Sequence, residues 1–242
     1  MTSYTLQREE LLALFSKVGC STPQGMSDDF LAPLAESETL TGADFSSEEI
    51  ALAELMAHPH RVVCVEREDA DGIVQNKVWF YVLGTHFASL STSADGYVFS
   101  SLDSLDALLS KLSATLPLRP DPNTVHARAV LDLDEFMEVR ALLSNRHEVS
   151  AEAILEADGM ETFEAINLAA SVESQEWNGR LSFQFYEEDK LIKERNLWVL
   201  QGPDASWLGY QDLETDKMIV QSANNEVLDD IALRIWEALD ES

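Results

Sequence analysis

Basic residues are what this chain has least of. Its 16 Lys and Arg stand against 44 Asp and Glu, a formal net charge of -28 over 242 residues. Nucleic-acid binding needs clustered Lys and Arg to displace counterions, so DNA and RNA are not expected partners. Direct binding to an anionic membrane is disfavoured for the same reason. The deficit is uneven: no Lys or Arg occurs between Lys17 and Arg61, nor between Arg146 and Arg180. The second gap holds Glu148, Glu152, Glu156, Asp158, Glu161, Glu164, Glu173 and Glu176. Such acidity confers solubility, steers a basic partner or shields an aggregation-prone client.

Cysteine is nearly absent. Cys20 and Cys64 are the only two, too few and too far apart for a disulfide framework. Cys64 lies in an apolar run and reads as a buried small hydrophobe, whereas Cys20 follows Gly19 in a loop. No apolar stretch approaches the ~20 residues of a membrane span. The first residues lack a basic segment followed by an apolar run, so no signal peptide is expected. A reducing, cytoplasmic location follows as the expectation.

Motifs of chemistry are also missing. There is no glycine-rich phosphate loop, no nucleophile elbow and no paired-His helix motif. The Asp69 to Gly72 segment resembles the start of a calcium loop, but its glycine comes too early and Phe80 stands where the closing acid is needed; it reads as a hairpin turn. His58 and His60 flank Pro59 without a suitably spaced third ligand, His86 lies within or beside a strand, and His126 and His147 are isolated. Asp132, Asp134 and Glu135 could pair as acid and base, but they open an expected helix, where acids are favoured by the dipole anyway. Glu187, Glu188 and Asp189 top an expected hairpin. No catalytic residue, metal or cofactor is assigned, and a non-enzymatic protein is expected.

What is present is a core and a repeat. Hydrophobic residues make up 45% of the chain, with five Trp and ten Phe. A helix-forming stretch with Ile50, Leu52, Leu55 and Met56 leads into strands at 61–67, 77–84, 86–90 and 97–100, then a helix from Asp103. The same order returns as a helix over 163–172, strands at 180–186, 196–202, 205–210 and 218–221, and a helix over 225–239. In the strand after Lys77, Val78, Phe80 and Val82 share one face while Trp79, Tyr81 and Leu83 share the other, so both faces need cover.

Outside the repeats, Thr5 is read as the cap of an N-terminal helix with Leu6, Leu11, Leu12, Leu14 and Phe15 on one face. A loop with Pro23, Gly25 and Pro33 follows. Ser46 caps the next helix, with Glu48 and Glu49 in its first turn. Pro117, Pro120 and Pro122 mark a boundary, followed by a strand over 125–131 and helices from Asp132 and Ser150, the latter ending at Gly159. The division is 1–44 for the N-terminal helix and loop, 45–116 for the first repeat, 117–158 for the connection and 159–242 for the second repeat. The last helix sets Val227, Leu228, Ile231, Ile235, Trp236 and Leu239 on one stripe, a pattern that docks a client or, as is more usual, packs on the core.

The expected fold is α+β: two quasi-symmetric helix–four-strand–helix repeats forming a largely antiparallel, continuous sheet with helices packed against it. Trp79 and Trp198 occupy corresponding strands before Gly84 and Gly202, and Trp207 and Tyr210 point to opposite faces of the next strand. Large aromatics fill cores or anchor protein interfaces. If one sheet face is open, Trp79, Tyr81, Trp198, Trp207 and Tyr210 form the partner-binding platform.

The layout resembles the EspG family of type VII secretion chaperones. The resemblance rests on several features:
the N-terminal helix and Pro-containing loop before Leu52; the helix from Ala51 to Pro59; and the exit from Leu108 to Pro117. It also rests on the 125–131 strand, the small-residue helix between Ile154 and Ala170, and the Trp198 to Gly202 strand with the final Leu- and Ile-rich helix. It implies a cytosolic, non-enzymatic chaperone or adaptor that binds a helical exported client. No family binding residue is carried over. The competing expectation, from charge alone, is an acidic immunity or inhibitor protein that neutralises a basic toxin or enzyme.

Overall fold

The computed structural model describes residues 2–26, 44–119 and 127–238. Pro33, Pro120, Pro122, Val125, His126 and Leu239 lie outside them. The strands belong to one ten-stranded sheet in the order β1-β5-β4-β3-β2-β7-β8-β9-β10-β6. The first half comprises β1 (Ser3–Leu6), α1 (Arg8–Lys17), α2 (Ser47–Ala57), β2 (Arg61–Asp69), β3 (Val74–Leu83), β4 (His86–Ser93), β5 (Gly96–Leu102) and α3 (Leu105–Thr115). The second comprises β6 (Arg128–Leu131), α4 (Leu133–Ser144), α5 (Glu148–Ala157), α6 (Thr162–Glu173), β7 (Trp177–Glu187), β8 (Lys190–Gln201), β9 (Ser206–Gln211), β10 (Met218–Ser222) and α7 (Asn225–Ala238). The strand order reads alike from either edge. β6 pairs antiparallel with β10 as β1 pairs with β5. The duplicated pattern thus takes in two strands, β1 and β6, that lie outside the repeat boundaries expected from sequence.

The chain start differs from expectation. Thr5 does not cap a helix; it pairs with Val98 in β1. The helix starts two residues after Leu6, where the Glu10 carboxylate accepts the Gln7 N–H at 2.8 Å. A four-residue edge strand is too short to show a period of its own. Gly96 makes this pairing possible: its φ is +126°, and a Cβ there would lie 2.4 Å from the Leu6 carbonyl oxygen. Other local signals hold. The Ser46 hydroxyl accepts the Glu49 N–H at 3.2 Å while Glu49 Oε2 accepts the Ser46 N–H at 2.7 Å, a reciprocal cap. Asp69 Oδ1 accepts the N–H groups of Asp71 and Ile73, closing the expected hairpin turn. Gly159, at φ +102°, follows α5 as expected. The β7–β8 hairpin is longer than expected, because β8 starts at Lys190 rather than Asn196. Its charged arm hides the strand period, and the turn is only Glu188 and Asp189, both at positive φ.

Two compact units result, divided as Met1–Val65, Asn76–Leu112 and Ser182–Glu194 against Glu66–Gln75, Ser113–Leu181 and Arg195–Ser242. In the first unit, Leu11, Leu14 and Phe15 of α1 and Ala53 and Met56 of α2 pack with Trp79, Tyr81, Leu90 and Phe99 of the sheet. Cys64 is half-buried at this core's edge rather than enclosed. Tyr186 closes the core, and its hydroxyl donates to Gln184 Oε1 at 2.9 Å. Burial first, then the Glu194 and Cys64 charges, push its phenol from 10 to about 12. Phenolate therefore forms earlier in the unfolded chain. The contribution is fully present below pH 10 and is lost as pH rises towards about 12, a fall of about 2–3 kcal/mol. Denaturant unfolding across that interval is expected to show the decline, and Tyr186→Phe to make it shallower, the buried Tyr81 and Tyr210 phenols supplying the rest. An unchanged slope in that variant would assign the loss elsewhere.

In the second unit, Phe136, Val139 and Leu143 of α4, Leu155 of α5 and Ala165 and Leu168 of α6 pack on Ala129, Leu131, Trp207, Met218 and Val220 of the sheet. The stripe of α7 is buried at Leu228, Ile231, Ile235 and Trp236, as a core-facing helix requires. Gly202 lets the turn after β8 touch α6: a Cβ there would lie 2.5–2.9 Å from Ser171 Oγ, Cβ and Cα. That same hydroxyl receives the Trp207 Nε1–H at 3.1 Å. Gly202→Ala is expected to destabilise by about 1–3 kcal/mol through overpacking, read from the chemical unfolding midpoint. An unaltered midpoint would show that α6 gives way freely.

Candidate functional site

The five aromatic candidates separate into three environments. Trp79 and Tyr81 are completely enclosed in the first unit's core, where burial pushes the Tyr81 phenol well up. Tyr210 is buried at 6% exposure, on the sheet face that lines a shallow groove with Arg128, Asp230 and Arg234. Burial raises its phenol against the lowering effect of Arg128 and Arg234. Trp198 and Trp207 come together in the second unit, lining one cleft, and of the five only Trp198 is part-exposed.

This cleft has a volume of about 380 Å³, within the size range of small-ligand and side-chain pockets. Its origin lies in a difference between the two repeats. In the first, Trp79 pairs across the sheet with Leu90, and both are sealed by α1 and α2. In the second, Trp198 pairs with Gly209. The missing side chain leaves room beside the indole on the face covered by the α4–α6 helices. Phe136 of α4 leans over that room, its ring centroid 5.6 Å from that of Trp198 at 42°, with ring atoms 3.4 and 3.5 Å from where a Gly209 Cβ would stand. The Arg140 guanidinium lies 5.8 Å from the Phe136 ring centre and 5.7 Å from the Trp198 ring centre. Cation–π attraction of this kind holds a charge at an apolar mouth. Val139, Leu168, Val172 and Val220 complete apolar walls, with Glu68, Gln175 and Asn178 at polar positions. The cleft has room and apolar walls for an apolar or aromatic side chain, and its lining offers no nucleophile or metal-ligand set.

Phe136, Arg140 and Gly209 were not singled out in the sequence. Their helix and strand were legible, but the cross-strand register that opposes Gly209 to Trp198 was not. A second missed feature is exposed apolar surface. Leu133 and Met137 on α4, Val149 on α5, and Phe163 and Ile166 on α6 are all exposed in the second unit. Leu133 and Met137 are four apart and Phe163 and Ile166 three apart, so each pair shares a helix face. Ile73 just before β3 and Val74 at its start are exposed, as are Leu191 and Ile192 in the first residues of β8. These residues sit in polar contexts that read as turns.

Among the other chemical candidates, Asp132 and Glu135 take structural roles. The Asp132 carboxylate receives Lys217 Nζ, and Glu135 Oε2 accepts the Asp132 N–H at 2.7 Å, fixing the start of α4. His86 and His147 are exposed. Among the described residues no cluster of three His, Cys, Asp or Glu could hold a metal, and no helix is long and apolar enough to cross a membrane.

The architecture defined here is an open α+β sheet of two like halves. It is similar to a solved structure of the Mycobacterium tuberculosis type VII secretion system chaperone EspG5 in complex with the PE25-PPE41 dimer. The TM-score is 0.68 at 12% sequence identity, covering 94% of this chain and 93% of that one. No family model matches the sequence. No curated protein matches it either. The likeness is one of fold.

Proposed function

We propose that this chain is a non-enzymatic cytoplasmic chaperone or adaptor that binds a helical exported protein and keeps it soluble for a type VII-like secretion route. The carrying observation is the Trp198–Phe136–Arg140 cleft, with room for an apolar side chain, lined by α4 and α6, the two helices that also carry exposed apolar positions. The fold it shares with EspG5, solved with a bound protein dimer, supports the same reading. Large exposed apolar positions on one layer of a protein this acidic suit a partner that covers them. The acidic surroundings would keep the free chaperone and its complex from self-association.

The test is capture of partners with the tagged chain from its own cell lysate, at about 0.15 M and about 0.5 M salt, with mass spectrometry of what is retained. A helical exported protein held at both salts supports the chaperone reading, since apolar burial is not screened. A basic toxin or enzyme lost at the higher salt would replace that reading with the acidic inhibitor.

A further inference from the structure

Three side chains distant in sequence converge in the first unit. Cys20 follows the turn after α1, and its Sγ lies 3.8 Å from His58 Nε2. His58 is the residue capping the C-terminus of α2, and its Nδ1 lies 2.9 Å from Asp189 Oδ1 in the β7–β8 turn. The sequence separations are 38 and 131 residues, so no local motif announces the group. With the Nδ1 proton donated to the carboxylate, the Nε2 lone pair faces the thiol. Nucleophile, base and orienting group thus stand in the order that activates a weak nucleophile. The side chains of His58 and Asp189 are each 49% exposed and Cys20 is half-buried, which leaves the group open to small reagents.

We propose that Cys20 is a thiolation site that exchanges with low-molecular-weight disulfides, with His58 as its proton acceptor and Asp189 as the residue that positions the imidazole. His58 Nε2 takes the thiol proton as Cys20 Sγ attacks one sulfur of the disulfide. A new S–S bond forms to Cys20 while the reagent's S–S bond breaks. The departing thiolate takes the proton back from the imidazolium, so a mixed disulfide and one free thiol result. Burial first, then the Asp189 charge, hold the Cys20 thiol above its ordinary range, so little thiolate is present beforehand. The rate therefore depends on a base that removes the proton during attack. Cys64 supplies an internal comparison.

The experiment reacts the full chain with dithiodipyridine, a neutral disulfide whose released thiopyridone absorbs light. Cys64→Ala isolates Cys20, and Cys20→Ala isolates Cys64. Cys20 is expected to react about tenfold or more faster than Cys64. In the Cys64→Ala background, His58→Ala and His58→Asn are each expected to slow it about tenfold, and free imidazole to restore the His58→Ala rate. Asp189→Asn, which suits the positive φ of that turn, is expected to slow it by a smaller factor. Near-ultraviolet circular dichroism checks that each variant keeps its fold. Equal rates for the two cysteines would overturn the proposal even if the His58 variants fail to fold. So would folded His58 variants that react as fast as the parent, and an unchanged Asp189→Asn rate would remove Asp189 from the site.

Discussion

Trp79→Ala is expected to lower unfolding stability by about 3–5 kcal/mol. The indole is wholly enclosed between the sheet and the α1 and α2 helices, facing Leu90 across the strand pair. Its removal leaves a cavity that close-packed neighbours fill only in part, because Leu11, Leu14, Phe15 and Met56 are held by their own helices. Against a typical total of about 5–15 kcal/mol, that loss brings the protein close to unfolding at body temperature. Urea denaturation followed by tryptophan fluorescence measures it. A loss under about 1 kcal/mol would mean that the first unit's core is plastic and that Trp79 has a role other than packing.

Trp198→Ala is expected to behave in the opposite way. The residue is part-exposed, and its neighbours Phe136 and Arg140 border open space rather than a sealed core. Folding should survive with a loss of about 1–2 kcal/mol, while affinity for the captured client falls by about 2 kcal/mol or more, roughly thirtyfold. Arg140→Ala should weaken the client less, since a cation–π contact at an exposed mouth contributes about 0.5–1 kcal/mol. Titration calorimetry with the recovered client, beside a thermal melt of each variant, separates the two effects. A folded Trp198→Ala protein with unchanged affinity would remove the cleft from the binding surface. Trp79 and Trp198 thus make a controlled pair, one substitution testing core packing and its counterpart the proposed recognition role.

Fold class was legible in the sequence wherever the signal is local. Alternation over 78–83 required cover on both faces, and the strand is buried from Val78 to Val82. Ser46, Gly72 and Gly159 placed a cap, a turn and a helix end from their own conformational preferences. Misread segments were those whose pairing is their only mark. β1 is a four-residue edge strand, and the charged arm of β8 carries no apolar period. The candidate platform was legible as a set of aromatics but not as a surface. Trp79, Tyr81, Trp198, Trp207 and Tyr210 look alike in sequence, yet only Trp198 is part-exposed.

By itself the sequence determined the acidity, the scarcity of reactive motifs, the order of helices and strands in each repeat and the large side chains available to fill cores. Only the tertiary structure decided that Gly209 stands opposite Trp198 where Leu90 stands opposite Trp79, that Phe136 and Arg140 close over the gap, and that Cys20, His58 and Asp189 meet. Periodicity fixes which face of an element is buried, because that depends on neighbours a few residues away. Register and long-range approach depend on how whole elements settle against one another, and no local pattern carries that information.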